Sequence, residues 1–191
     1  MTDEFDIRTI DVGLSSTIVQ LFKLPQQMID YLWERIDIAK KVPVCVKDTL
    51  AGNISHSYNL EDPRDLVVQK LYNIVYNSVD NPKMFEFIQN EGEFQPIHSH
   101  SGTFSFVIWM DIPYHYKDEA KLHFAKSNSK KPPGGNFSFV TSSDTSRGVK
   151  DYYIEMSPEF NGYCCFFPSD LSHQVYPFYT SDKDRISISG N

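Results

Sequence analysis

The chain has 191 residues, 18 Lys and Arg against 25 Asp and Glu, and a net charge of -7. That length suits a single domain over 1–191 with its own core and a walled pocket, and the acidic balance argues against a nucleic-acid surface, which shows clustered Lys and Arg. Three cysteines, Cys45 and the adjacent Cys164 and Cys165, give neither a disulfide framework nor a zinc-finger rhythm. In a strand the adjacent pair points to opposite faces as small buried hydrophobes. Met1 to Arg8 is acidic and lacks an apolar leader, and no 18 uncharged apolar residues run together, so the reading is a cytoplasmic protein with no membrane segment. Aromatic residues at 14%, with Phe and Tyr in short alternating runs, favour a mainly β (α+β) fold.

In chain order, Thr17 to Phe22 reads as a short strand. Pro25 then opens a helix with Met28, Ile29, Leu32, Trp33 and Ile36 on one face. After a Pro- and Gly-punctuated link, Asp62 and Pro63 supply the cap and first turn of a second helix, with Val67, Leu71, Ile74 and Val75 as its stripe. Residues 1–82 are therefore expected to give a strand and two supporting helices. From Met84 the texture turns to strands: Met84–Gln89, Phe94–His100 and Phe104–Ile112, the last closed by Pro113. Tyr114 to Gly135 is a polar excursion, basic around Lys126 to Lys131, of the kind that covers a pocket. Phe137–Thr141, Tyr152–Met156, Gly162–Phe167, Gln174–Pro177 and Arg185–Ser189 complete a set that reads as a jelly roll or barrel over 83–191.

Two of six histidines, His98 and His100, stand two apart in a predicted strand, so both imidazoles face one point. His173 follows another strand and the turn Pro168-Ser-Asp-Leu-Ser172; if the two strands are neighbours, all three rings converge. Imidazoles suit iron, zinc, copper or nickel, so the spacing implies a transition metal without naming it. In the closing strand Arg185, Ser187 and Ser189 share a face. A buried polar face needs a partner, and a guanidinium with a hydroxyl two residues on makes a carboxylate clamp. His56, His115 and His123 read as solvated, while Tyr58, Asn73 and Trp109 are candidates to line a pocket.

The pair His98-Ser-His100, the segment Phe166-Phe-Pro-Ser-Asp-Leu-Ser-His173-Gln-Val-Tyr-Pro-Phe178 and the ending Asp184-Arg-Ile-Ser-Ile-Ser-Gly-Asn191 resemble the 2-oxoglutarate/Fe(II) oxygenase superfamily. The similarity is to short, phage-encoded members related to prolyl hydroxylases, and it covers Met84 to Asn191. The resemblance implies a double-stranded β-helix (jelly roll) with N-terminal helical support, and Fe(II), 2-oxoglutarate and O2 as cofactor and cosubstrates. It makes His98 and His173 iron ligands, and Arg185 with Ser187 the binders of the distal carboxylate of 2-oxoglutarate. The family's usual motif has a carboxylate two residues after the first His; here His100 occupies that position, with Glu93 or Asp170 as other sources of a carboxylate. The implied reaction is hydroxylation of an unidentified small-molecule or peptide substrate. Two other readings use the same barrel without turnover: a cupin-type metal-binding protein and a virion or assembly component.

Overall fold

The computed structural model describes residues 7–10, 19–45, 52–63, 67, 69, 84–125, 132–142 and 148–190. Its strands are β1 (Ile7–Ile10), β2 (Val19–Lys23), β3 (His56–Asn59), β4 (Met84–Gln89), β5 (Gln95–His98), β6 (Phe104–Asp111), β7 (Phe137–Ser142), β8 (Val149–Ile154), β9 (Tyr163–Pro168), β10 (His173–Val175) and β11 (Arg185–Gly190). Helix α1 spans Gln26–Lys41, and a single turn, α2, spans Tyr116–Glu119. The strands form two antiparallel sheets: a seven-stranded one in the order β1-β2-β9-β6-β11-β4-β3 and a four-stranded one in the order β5-β10-β7-β8. The result is a β-sandwich.

Strands β6 and β9 read as unbroken apolar runs because both of their faces are covered. Phe106, Ile108 and Met110 face α1 with Cys164 and Phe166, and there they meet Met28, Leu32 and Ile36. Val107 and Trp109, with Cys165 and Phe167, face the four-stranded sheet and pack on Phe137, Phe139 and Val175. The adjacent cysteines thus enter two different cores, as the period-2 rule requires.

Helix α1 begins after Pro25, its missing N–H placed where the helix needs none, and it ends with Lys40 and Lys41 in its last turn. All five predicted stripe residues lie in or against the core. Of the second predicted helix, Val67 is helical and fully buried, and its N–H donates to Asp62 Oδ2 at 2.9 Å; residues 70–83 lie outside the described residues. Two strands, β1 and β3, were not predicted. Ile7–Ile10 and His56–Asn59 are short edge pieces defined by long-range pairing with β2 and β4, which local periodicity does not show.

One polar group in the α1-facing core stands out. Glu86 of β4 is fully buried and neither carboxylate oxygen has a hydrogen-bond partner; Lys40 Nζ lies 4.0 Å away. Burial raises its pKa to about 7, against the pull of Lys40. The folded state therefore holds a proton that the unfolded chain releases above its ordinary value of 4.5, and stability falls as pH rises from there through about 7. Glu86→Gln is expected to raise stability by about 2 to 3 kcal/mol at pH 8 and to change little at pH 4.5, as read from urea unfolding at the two pH values.

Candidate metal centre

Strand β5 ends on His98 and β10 begins on His173, and the antiparallel register sets these two residues opposite each other. Their ring centroids are 4.3 Å apart. His100 lies just past the end of β5, where its main-chain N–H donates to Ser169 O at 2.8 Å. Ser169 N–H in turn donates to Thr103 O at 3.2 Å, and its hydroxyl pairs with Ser105 Oγ at 2.8 Å in a buried contact. These bonds tie the loop carrying His100 to the turn that precedes His173. One ring nitrogen from each of His98, His100 and His173 lies within 4.8 Å of the others.

The protonation pattern follows from the surroundings. Nδ1 of His98 is 2.7 Å from Pro96 O, and Nδ1 of His173 is 2.9 Å from Leu171 O. A carbonyl only accepts, so these nitrogens carry the protons and the Nε2 lone pairs are left for a ligand. His173 is buried, stacked on Phe137 and set edge-on to Phe167, and desolvation followed by the nearby His98 pushes its pKa down to about 3. Desolvation, with the same neighbour, also lowers that of His100. A cluster of three imidazoles, one buried and two half-buried, is a donor set that fits a divalent transition-metal ion. No carboxylate joins the group among the described residues. Glu93 accepts from the N–H groups of Ser55 and Asn90, both at 2.9 Å, while Asp170 is exposed.

The same cavity is lined by the three histidines, by Trp109, Phe137 and Phe167, and by Arg185, Ser187 and Ser189 of β11. Alternation along β11 explains the last three, since Ile186 and Ile188 point the other way into the α1-facing core. Arg185 is buried, and its partners are all neutral. Nη1 donates to Tyr114 Oη at 2.7 Å and to Gly135 O at 3.4 Å, and Nη2 donates to Gln89 Oε1. Among the described residues it has no ion pair. Gly135 has φ +72°, and a Cβ there would sit 2.5 Å from the Tyr114 ring, so glycine is what lets the phenol and the guanidinium share that carbonyl. Burial raises the Tyr114 pKa and keeps the phenol protonated.

The five residues singled out from sequence, His98, His100, His173, Arg185 and Ser187, therefore line one cavity. Trp109 lines it too, whereas Tyr58 packs against the α1-facing core and Asn73 lies outside the described residues. His56 and His123 are exposed, and His115 caps α2 by accepting from the Lys117 N–H. Tyr114, Gln89 and Gln95 were missed. Tyr114 closes the run ended by Pro113, but only the fold shows that it meets Arg185, 71 positions away. Gln95 stands three residues before His98, a spacing that strict alternation would send to the opposite face; it lines the cavity where the pairing of β5 with β10 shifts register between His173 and Val175.

No curated protein sequence matches the chain. Among solved structures, a Pseudomonas putida prolyl-4-hydroxylase is similar, with a TM-score of 0.59 at 11% identity over 93% of this chain and 92% of that one. At that identity the likeness shows the fold alone. A 2OG-Fe(II) oxygenase family oxidoreductase from Burkholderia pseudomallei aligns with a TM-score of 0.42 at 9% identity, over 97% of this chain and 72% of that one. The family model described as "Putative 2OG-Fe(II) oxygenase" matches residues 83–191, more than half of the chain. That span contains all three clustered histidines, the cavity walls and Arg185. The chain thus belongs to the 2OG-Fe(II) oxygenases, oxidoreductases that work with Fe(II), 2-oxoglutarate and O2.

Proposed function

We propose that the protein is a dioxygenase that hydroxylates a C–H bond of a small-molecule or peptide substrate, with its sandwich forming the double-stranded β-helix of these enzymes. In this reading His98, His100 and His173 hold the iron, and Arg185 with Ser187 holds the distal carboxylate of 2-oxoglutarate. The observation that carries it is one cavity lined by both a three-imidazole cluster and a buried guanidinium without a counter-ion among the described residues. When bound, the iron and 2-oxoglutarate supply the oxidising chemistry, in which decarboxylation of the cosubstrate to succinate is coupled to hydroxylation.

The chain's own residues do the rest. Neutral imidazoles leave the full +2 charge on a divalent ion, where a set of two His and one carboxylate would leave +1. That charge and the Arg185 cation together favour a dianionic oxoacid over a neutral ligand. Tyr114, Gly135 and Gln89 fix the guanidinium so that little orientational freedom is lost on binding. Phe137, Phe167 and Trp109 exclude water from the space between. Anaerobic addition of Fe(II) and then 2-oxoglutarate is expected to give a weak visible charge-transfer band, and admitting O2 to give succinate. Metal binding with no response to 2-oxoglutarate would instead support the cupin-type reading.

A further inference from the structure

We propose that Gln89 is a positioning residue that keeps the Arg185 cation out of an ion pair and aimed, and so makes the cavity selective for a dicarboxylic over a monocarboxylic oxoacid. The inference rests on the assignment of Arg185 as the carboxylate anchor. Gln89 is the last residue of β4 and stands opposite Arg185, the first of β11, in the antiparallel register. Both side chains are buried, at 3% and 4% exposure.

The amide fits in only one orientation. Its Oε1 accepts from Arg185 Nη2, and its Nε2 donates to Glu93 O. A guanidinium has no acceptor and a carbonyl has no donor, so a flipped amide would lose both bonds. The turn that presents Glu93 O is itself fixed, because the Glu93 carboxylate takes the N–H groups of Asn90 and Ser55. The far side of Arg185 is held by Tyr114 and Gly135. Glu119, which packs against Gly134 and Gly135, is committed to the N–H groups of Tyr179 and Thr180 at 2.9 and 2.8 Å.

The acceptor on Arg185 is thus an amide; a carboxylate of the same shape would still accept from the guanidinium but would lose the donation to Glu93 O and set an oxygen against that carbonyl. A carboxylate there would form an internal ion pair and cancel the charge that an incoming ligand carboxylate needs. The amide fixes the geometry and leaves the charge. A monocarboxylic oxoacid has nothing to place against Arg185, so its binding does not sense residue 89.

The test is calorimetric titration of the Mn(II)-loaded protein with 2-oxoglutarate and, separately, with 2-oxobutyrate. Gln89→Glu is expected to weaken 2-oxoglutarate about 30-fold or more while leaving 2-oxobutyrate within about 3-fold. Gln89→Met, which keeps the cation and removes the acceptor, is expected to weaken 2-oxoglutarate about 5-fold with 2-oxobutyrate unchanged. Gln89→Met decides the matter alone if Gln89→Glu does not fold. Unchanged 2-oxoglutarate affinity in a folded variant, equal losses for both oxoacids, or failure of both variants to fold would overturn the proposal. Arg185→Met separates the two levels: if it weakens 2-oxoglutarate and Gln89→Glu does not, only the role of Gln89 is lost. If wild-type protein does not prefer 2-oxoglutarate at all, the anchor assignment falls and this inference with it.

Discussion

His173→Ala is expected to weaken Fe(II) binding by more than about 100-fold and to abolish succinate formation. Altering a group that only supports a metal ligand already costs about 10- to 100-fold in affinity, and His173 is proposed as a ligand itself. It is also the most buried of the three, with the Phe137 and Phe167 rings against it. The measurement is competition against a chromogenic chelator, with circular dichroism confirming that the variant is folded. The ring packs against Phe137 and Phe167, so some stability will be lost with it, on the order of 1 to 3 kcal/mol. His173→Gln keeps most of that volume and should lose the metal to a similar extent, which separates ligation from packing. His56→Ala, at an exposed residue of β3, should bind iron as the wild type does. Retained iron affinity in His173→Gln would remove His173 from the ligand set.

Much of this arrangement is legible in the chain because it depends on short-range periodicity. Arg185, Ser187 and Ser189 face one way by the two-residue repeat of a strand; the same repeat leads from sequence to His98 and His100, although β5 ends at His98 and a loop bond to Ser169 holds His100 in place. The α1 stripe is equally local. His173 is harder, since its meeting with His98 is a matter of which strands pair, and the sequence supports only the conditional statement that they converge if they are neighbours.

What could not be read is what comes from chain closure. The excursion after Pro113 looks polar and solvated, yet it places Tyr114 on Arg185, buries Glu119 against the following loop and uses Gly135 as a shared acceptor. The contacts to Arg185 and that of Glu119 with Tyr179 join residues 50 or more positions apart, and the Tyr114–Gly135 bond spans 21. Gln89 hid for a similar reason: its role appears only when β4 and β11 are seen in register, 96 positions apart. Glu86, without a hydrogen bond, is a case of the opposite kind, an acidic residue on the helix-facing side of β4 that no composition argument would have placed at zero exposure.

Arg185→Met is expected to raise the Kd for 2-oxoglutarate by about 100-fold or more while leaving Fe(II) affinity within about 3-fold. The size follows from losing a charge-assisted contact to a carboxylate in a site walled by Phe137, Phe167 and Trp109, where water competes poorly. The sign of the stability change is the sharper discriminator. In the wild type a buried cation is held by neutral acceptors only, which is an unfavourable state for the protein without its ligand. Methionine fills a similar volume without charge, at the cost of leaving the Gln89 carbonyl without its donor, a loss of about 1 to 3 kcal/mol. The two effects oppose each other, so the ligand-free variant is expected to unfold within about 1 kcal/mol of wild type. Wild type, but not the variant, should then gain stability as 2-oxoglutarate is added to the Mn(II)-loaded protein. A residue kept for the fold would show the reverse: a large loss of stability without ligand and an undiminished stabilising response to 2-oxoglutarate in whatever protein remained folded. Urea unfolding of both proteins across a series of 2-oxoglutarate concentrations distinguishes the two outcomes, and the second would remove Arg185 from the proposed cosubstrate site.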